Sequence, residues 1–292
     1  MPLLDALLTG ITLGGMYALV ALGLNLQYGV ARIMNLSYGE MVVAAAVGAY
    51  VLFSQHTVSP LVTLVAVVPA AAALGWALYR YVLTPLVRRA GSSREALEAD
   101  SLLGTFGLLF IVQGILLVTM GGGYLSYSYL ALPVQVLGTT IAANRLLALA
   151  AAVGLGVALW LTLTRTRVGT AIRALSVDPT AARLVAIPVA RLAMAAFALG
   201  TVLAALAGVL ISMFLTFSAT MGVIFTMKAL IVVIMGGIGN MAGAVAAALM
   251  LGLVEAVVGT LIDPALTLAA NYALFLAVLL FRPAGLFGRA AR

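Results

Sequence analysis

Long apolar runs separated by short polar connections dominate this chain of 292 residues. Because about 20 apolar residues are enough to cross the hydrocarbon core of a bilayer, such runs predict membrane-spanning helices. Hydrophobic residues make up 65% of the sequence and charged residues only 8%, whereas soluble domains contain about 25% charged residues. The runs lie at about 8–28, 41–54, 60–83, 102–119, 145–164, 192–215, 223–235, 241–262 and 266–281.

These runs account for nearly the whole chain. Residues 1–292 are therefore predicted to form a single transmembrane domain, all-α and polytopic, with about eight transmembrane helices. No room is left for a separate nucleotide-binding or catalytic domain.

The composition excludes several kinds of chemistry. Without cysteine the chain has no disulfide, no thiolate nucleophile and no thiolate metal site, and its one histidine, His56, cannot build a histidine-rich metal site. The four aspartates are too scattered for the paired aspartate motifs of intramembrane transferases. The sequence therefore offers few side chains that an intramembrane enzyme could use for catalysis. We predict no catalytic residue and no metal site.

The positive charges predict the orientation of the chain. Thirteen of the 15 basic residues lie in the stretches 84–101 and 165–191, in the tail (Arg282, Arg289 and Arg292), or at the edges of runs. The alternate connections 55–59, 120–144 and 216–222 contain none. By the positive-inside rule the arginine-rich stretches and the C-terminus are cytoplasmic and the N-terminus is outside. The net charge of +7 then reflects topology rather than nucleic-acid binding.

The number of membrane crossings, odd or even, constrains the topology of the C-terminal part of the chain. If 192–215 runs outward and 266–281 returns, the stretch 223–262 begins and ends on the same side of the membrane. Its first piece, 223–235, is too short to span about 30 Å of hydrocarbon. We expect a broken or re-entrant segment near 223–240, followed by a full helix.

Polar residues interrupt the apolar sequence at two places. The first is the stretch 28–40 and the second is Gly236-Gly237-Ile238-Gly239-Asn240. Irregular backbone at membrane depth is tolerated only when it is buried in protein or lines a water-filled cavity. By analogy with broken transporter helices, the two breaks predict a substrate pathway. Its candidate residues are Asn35, Ser37, Tyr38, Gly39, Glu40, Gly236, Gly237, Gly239 and Asn240. The alternative interpretation is structural: the glycines allow close helix packing, and Asn35 to Ser37 form a polar turn at the interface.

Three ionisable residues stand inside or beside apolar runs. Glu40 opens a helix and has Arg32 eight residues earlier as a possible partner, while Lys228 and Glu255 lie within C-terminal runs. Such residues indicate functional sites by default. A proton relay through Glu40 and Glu255 is one interpretation, and we favour structural pairing.

The order of motifs resembles the LivH-type permeases, the membrane subunits of branched-chain amino acid ABC importers. The matching stretches are Gly15–Gly23, Tyr28-Gly29, Asn35–Glu40, Lys228–Ala244 with Gly252–Glu255, and Arg282–Gly288. Relatives commonly carry Asn-Phe-Ala-His-Gly-Glu where this chain has Asn35 to Glu40, so Tyr38 replaces the usual histidine.

The arginine-rich stretch 165–191 is similar to the family's coupling segment, which usually has glycine at the Ala186 position. Asp178 suits a helix N-cap and Pro179 the first helical position. The candidate residues for ATPase coupling are Arg173, Asp178, Pro179, Arg183, Leu184 and Ile187. The alternative is an ordinary basic cytoplasmic loop.

The resemblance implies a multi-pass permease of the bacterial inner membrane. Its implied partners are a second homologous permease, two ABC ATPase subunits and an external or periplasmic substrate-binding protein. ATP and magnesium would bind the ATPase subunits, since this chain lacks a Gly-x-x-x-x-Gly-Lys-Ser/Thr phosphate loop.

Other functions are compatible with the residues. Related ABC permeases carry urea, short amides or other small solutes, and an ion-coupled secondary transporter would need no ATPase. The sequence favours an amino acid permease over a secondary carrier, because buried carboxylates are few and the coupling-like stretch is present.

Overall fold

The computed structural model describes residues 2–90, 94–136 and 138–288, and most of them are helical. Arg289 and Arg292, counted above, lie outside the described residues. The helices are α1 (Pro2–Ala31), α2 (Tyr38–His56), α3 (Pro60–Leu78), α4 (Thr84–Ala90), α5 (Arg94–Met120), α6 (Ala143–Arg165), α7 (Arg167–Val177), α8 (Pro179–Leu184), α9 (Val189–Ser212), α10 (Gly222–Gly236), α11 (Met241–Leu261) and α12 (Thr267–Phe281).

Seven helical segments within the described residues are long and apolar enough to cross a membrane. They are Leu3–Ala31, Pro60–Arg89, Glu95–Met120, Ala143–Arg165, Val189–Ser212, Met241–Leu261 and Pro264–Phe281. A π-helical turn, Tyr79–Leu83, joins α3 to α4 within one of these segments. The shorter α10 and the buried α2 complete the bundle, which confirms the prediction of an all-α polytopic membrane protein.

A small β-hairpin interrupts the longest polar connection, 120–144. Strands β1 (Pro133–Val136) and β2 (Thr139–Ala142) pair antiparallel, with Pro133 opposite Ala142. The same connection bonds to the segment after α9, because Leu125 and Phe217 exchange two backbone hydrogen bonds of 2.7 and 3.0 Å. This pairing ties two loops together at one end of the bundle.

Helices α1 and α9 form the centre of the molecule. In the most apolar stretches of α1 and α9, 72% and 78% of the residues are buried. In the segment Pro264–Phe281, which contains α12, only 6% are buried. Helix α11 runs antiparallel to α1: Gly10 packs on Leu253, and Gly14 packs on Leu249. These contacts bring helix backbones close together, as small residues commonly allow in membrane bundles.

The two ends of the bundle differ in charge. We call the end that carries Arg32, Arg165, Arg183 and Arg282 the arginine-rich end. There the Arg32 guanidinium, at the end of α1, donates to the Ser176 carbonyl of α7 at 2.8 Å. The C-terminal segment packs at the same end, since the Leu286 amide donates to the Met235 carbonyl near the end of α10.

Helix α10 is the short, broken segment expected near 223–240. At 1.5 Å per residue its 15 residues span about 22 Å, less than the roughly 30 Å of a bilayer core. It ends at a turn at the arginine-rich end, and α11 then returns beside α1 to the opposite end. The stretch 223–262 therefore starts and finishes toward the same end, as the number of membrane crossings predicted.

The close approach of α1 and α11 generates a stability prediction. A Cβ atom on Gly252 would lie 2.5 Å from the Cα atom of Gly14 and 2.6 Å from the carbonyl oxygen of Gly10. We expect Gly252→Ala to lower the free energy of unfolding by about 1–3 kcal/mol through overpacking. Thermal unfolding of the detergent-purified protein measures it.

Gly154→Ala is the matched control, because nothing lies within 4 Å of a Cβ atom at that helical position. Alanine there should leave stability unchanged or raise it by up to about 1 kcal/mol through helix propensity. Equal stability of the two variants would contradict the proposed close contact.

Candidate functional site

The first polar break is non-helical at residues 32–37, between α1 and α2, and threonines from other helices bond to its backbone. The Thr105 hydroxyl of α5 donates to the Met34 carbonyl and accepts from the Leu36 amide, both at 3.1 Å. The Thr226 hydroxyl of α10 contacts the Leu36 carbonyl and accepts from the Gly39 amide at 2.8 Å. Side chains thus replace the missing helical hydrogen bonds of this segment.

Asn35 organises the turn before α2. Its Oδ1 atom accepts from the amide and the hydroxyl of Ser37, at 3.1 and 2.7 Å. Its Nδ2 donates to the Oε1 atom of Gln27 on α1, and Gln27 in turn donates to the Phe197 carbonyl of α9 at 3.0 Å. A buried amide chain therefore links α1, the break and α9.

Tyr38 and Gly39 fit the break against its neighbours. The buried Tyr38 hydroxyl donates to the Gly200 carbonyl of α9 at 3.2 Å. A side chain at Gly39 would collide with the Gly222 carbonyl of α10. Asn35, Ser37 and Tyr38 are thus engaged within the protein, and their direct contact with a substrate stays a prediction.

Glu40 is the exception in this region. Its side chain is fully buried, and neither carboxylate oxygen has a hydrogen-bond partner among the described residues. The carboxylate lies against Gly222, the first residue of α10.

The expected Arg32–Glu40 pair is wrong. Arg32 reaches α7 at the arginine-rich end, whereas Glu40 faces α10. The reason is the non-helical stretch between them, which leads the chain from α7 at Arg32 to α10 at Glu40.

The second break is a tight turn between α10 and α11. Gly237 and Gly239 have φ angles of 99° and 80°, in the left-handed region that favours glycine. A side chain at Gly236 would lie 2.5 Å from the backbone of Gly243, so the two helix ends meet here. Asn240 caps α11 by accepting from the Gly243 amide at 3.0 Å. Packing accounts for these residues, and their contact with a substrate stays a prediction.

Asn25 on α1 holds this turn and was missed by the sequence analysis. Its Oδ1 accepts from the Gly239 amide at 2.7 Å, and its Nδ2 donates to the Asn240 carbonyl at 3.2 Å. Gln27, Thr105 and Thr226 were missed in the same way. Each is an isolated polar residue in an apolar run, and that was the available signal.

Lys228 and Glu255 form a polar network between four helices. The Lys228 ammonium of α10 lies 2.7 and 2.8 Å from the two carboxylate oxygens of Glu255 on α11, and 2.6 Å from the Tyr17 hydroxyl of α1. The Asn271 amide of α12 donates to Glu255 at 2.8 Å. The geometry agrees with the structural pairing favoured above.

The coupling-like stretch folds into two short helices. The Asp178 carboxylate caps α8 by accepting from the amides of Thr180 and Ala181 at 2.8 and 3.0 Å, and Pro179 follows as the first helical residue. Ala186 has a φ angle of 59°, which explains why a glycine suits this position. The capped helix expected from Asp178 and Pro179 is confirmed.

One side of this stretch is anchored and the other is open. Ile172, Leu175 and Ala182 are buried against the bundle. Leu184 is 85% exposed and Val185 70% exposed, and the side chains of Arg173 and Arg183 are also exposed. Exposed leucine and valine next to arginines form a surface suited to a protein partner.

The opposite end carries a recess of about 220 Å³ between the 126–131 segment, the start of α6 and the residues after α9. Arg145, Asn144 and Tyr127 line it. The Asn144 amide donates to the Met213 carbonyl at 2.9 Å. Burial raises the pKa of Tyr127, whose hydroxyl lies 2.8 Å from that of Ser212. This recess gives the loops at this end of the bundle a polar, structured surface.

The polar network generates a second stability prediction. Lys228→Met should lower the free energy of unfolding by about 3–5 kcal/mol, because it leaves the Glu255 carboxylate buried without its cation. The double variant Lys228→Met/Glu255→Met should recover at least half of that loss. Thermal unfolding in detergent measures both, and purely additive losses from the two substitutions would contradict a coupled pair.

Comparison with known proteins identifies the family. A family model described as the permease component of branched-chain amino acid transport systems matches residues 6–281. The high-affinity branched-chain amino acid transport system permease protein LivH of Escherichia coli is 26% identical over 301 residues, covering 98% of this chain and 96% of LivH. The corresponding permease BraD of Pseudomonas aeruginosa is 27% identical over 304 residues, with the same coverage. No solved structure matches the chain. The chain belongs to the family of permease components of branched-chain amino acid transport systems.

Proposed function

We propose that this chain is the membrane-spanning subunit of an ATP-driven importer for branched-chain or other small amino acids. The substrate class is that of LivH and BraD, two branched-chain amino acid permeases that align with nearly the whole chain. In this complex the chain is a transport subunit, and ATP hydrolysis takes place on two ATPase subunits. A second, homologous permease completes the membrane part.

The observation that carries this proposal is the α7–α8 segment. Its anchored side joins the bundle through Leu175 and through the bond between Arg32 and Ser176. Its open side presents Leu184, Val185 and arginines to a partner. Because this segment stands at the arginine-rich end, the positive-inside rule assigns it to the cytoplasm, where ATPases act.

The same rule assigns the N-terminus and the 120–144 connection to the outside. A substrate-binding protein outside the membrane would dock on that end. The loops of this chain at that end of the bundle are held together by the Leu125–Phe217 pairing and by the β-hairpin. The membrane is then the bacterial cytoplasmic membrane, with both the coupling segment and the C-terminus inside.

The two breaks shape the substrate pathway in this proposal. Glu40 belongs to the first break, where its fully buried carboxylate lacks a hydrogen-bond partner among the described residues. Asn35, Ser37, Tyr38 and Gly39 position the first break. Gly236, Gly237, Gly239 and Asn240 position the second.

Reconstituted transport tests the proposal. A tag on this chain should recover two ATPase subunits and a second permease from membranes. In proteoliposomes, the complex should take up leucine only with its binding protein and ATP. Uptake that persists without ATP and collapses with a protonophore would instead indicate a secondary carrier.

Charge reversal at the α8 cap tests coupling. Asp178→Lys removes the cap, worth about 1 kcal/mol, and places a cation at the helix N-terminus on the proposed docking surface. We expect folded complex with at least tenfold less leucine uptake per ATP hydrolysed.

The chain contains its own matched control. Asp263 precedes Pro264 as Asp178 precedes Pro179, and it caps a helical turn by accepting from the Ala265 amide at 2.7 Å. Because Asp263 lies at the opposite end of the bundle, Asp263→Lys should leave coupling intact. Normal coupling in Asp178→Lys would remove the support for a docking helix.

A further inference from the structure

A recess of about 100 Å³ opens on the surface of the bundle between α10 and α12. Ile224 and Met227 of α10 and Leu268 and Tyr272 of α12 form its apolar walls. Lys228 and Asn271, both members of the polar network, also line it. Apolar walls around a few convergent polar groups are the usual composition of a small-molecule site.

The recess lies at mid-depth of the bundle. Lys228 stands near the middle of α10, and its partner Tyr17 stands near the middle of the 30-residue α1. The side chains of Lys228 and Glu255 remain 12% and 16% exposed. Ionic groups reachable from the hydrocarbon are costly, so polar residues of this kind face a water-filled cavity or protein.

Asn271 supplies the second observation. It is 1% exposed, and its Nδ2 donates to Glu255. Its Oδ1 atom has no hydrogen-bond partner among the described residues. A buried amide oxygen without a partner costs about 1–3 kcal/mol, which a ligand that donates a hydrogen bond would remove.

We propose that this recess is the wall of the translocation pathway contributed by this chain, and that it binds the head group of a zwitterionic amino acid. On binding, the Lys228 ammonium exchanges its bond to the Tyr17 hydroxyl for a bond to the carboxylate of the amino acid, while Tyr17 keeps its own bond to Glu255. The Asn271 Oδ1 atom accepts from its ammonium, and the apolar walls hold its side chain. This proposal rests on the transport function proposed above and gives it a binding site.

The size of the recess indicates how the site is completed. Typical ligand pockets enclose about 300–1,000 Å³, several times the volume found here. Helix α12 has little cover in this chain, so its outer face is open to a partner. In the complex proposed above, the second permease subunit would pack across α10 and α12 and close the site.

Cysteine labelling tests the recess without disturbing the polar network. The chain has no cysteine, so Met227→Cys introduces its single reactive thiol. In the assembled complex in proteoliposomes, a charged, water-soluble methanethiosulfonate should modify this thiol. Ile111→Cys is the control, because Ile111 is 60% exposed on α5, away from the recess. We expect no labelling there, since a thiol facing lipid is protonated and inaccessible to the reagent.

Ligand protection identifies the occupant. Leucine at ten times its Kd should slow labelling of Met227→Cys about elevenfold, as expected for simple occupancy. Isoamylamine lacks the carboxylate and 4-methylpentanoate lacks the ammonium, so at the same concentration neither should protect. Adding Asn271→Ala should preserve labelling and abolish most of the protection by leucine.

The outcomes separate the two proposals. Labelling that is absent at Met227→Cys, or equal at Ile111→Cys, would overturn the assignment of the recess to the pathway. Labelling without protection by leucine, or with equal protection by the amine or the acid, would overturn the zwitterion site. The unsubstituted complex is assayed for ATP-driven leucine uptake in parallel. Protection without uptake would overturn the transport proposal alone.

Discussion

The structure depends on one constraint: backbone amides and carbonyls inside a membrane must find partners within the protein. Between α1 and α2 the backbone lacks helical hydrogen bonds, and the hydroxyls of Thr105 and Thr226 bond to its amides and carbonyls instead. Where α10 gives way to α11, Asn25 and Asn240 do the same. The bonds from Thr105, Thr226 and Asn25 come from helices distant in sequence, so each break also holds the bundle together.

Charge is distributed according to the same principle. Within the bundle, Lys228 is neutralised by Glu255, and Tyr17 and Asn271 use the remaining hydrogen-bonding capacity of the pair. The network joins α1, α10, α11 and α12. Two of its members, Lys228 and Asn271, line the recess between α10 and α12. Helix α10 thus contacts Glu40 at its first residue, the recess at its middle and the glycine turn at its end.

Local features were predicted well because their physics is local. The Asp178-Pro179 cap, the short α10 and the turn at Gly236 to Asn240 each follow from a few consecutive residues. The Arg32–Glu40 pair was wrong because spacing in sequence does not fix which helices the two side chains face, and here they face α7 and α10. Asn25 and Gln27 were visible as polar residues in an apolar run. Their partners were not, because Asn25 bonds to the glycine turn about 215 residues away and Gln27 bonds to α9 about 170 residues away.

The sequence by itself determined the membrane class and the positions of both breaks, because hydrophobic length and backbone chemistry act within each segment. It also determined the family, through motifs kept in order along the chain. Only the tertiary structure decided that Lys228 meets Glu255, that Asn271 is left with an open oxygen, and that Glu40 lies alone against Gly222. The physical reason is that these contacts depend on which helix faces pack together, and α1 selects those faces through close glycine contacts with α11.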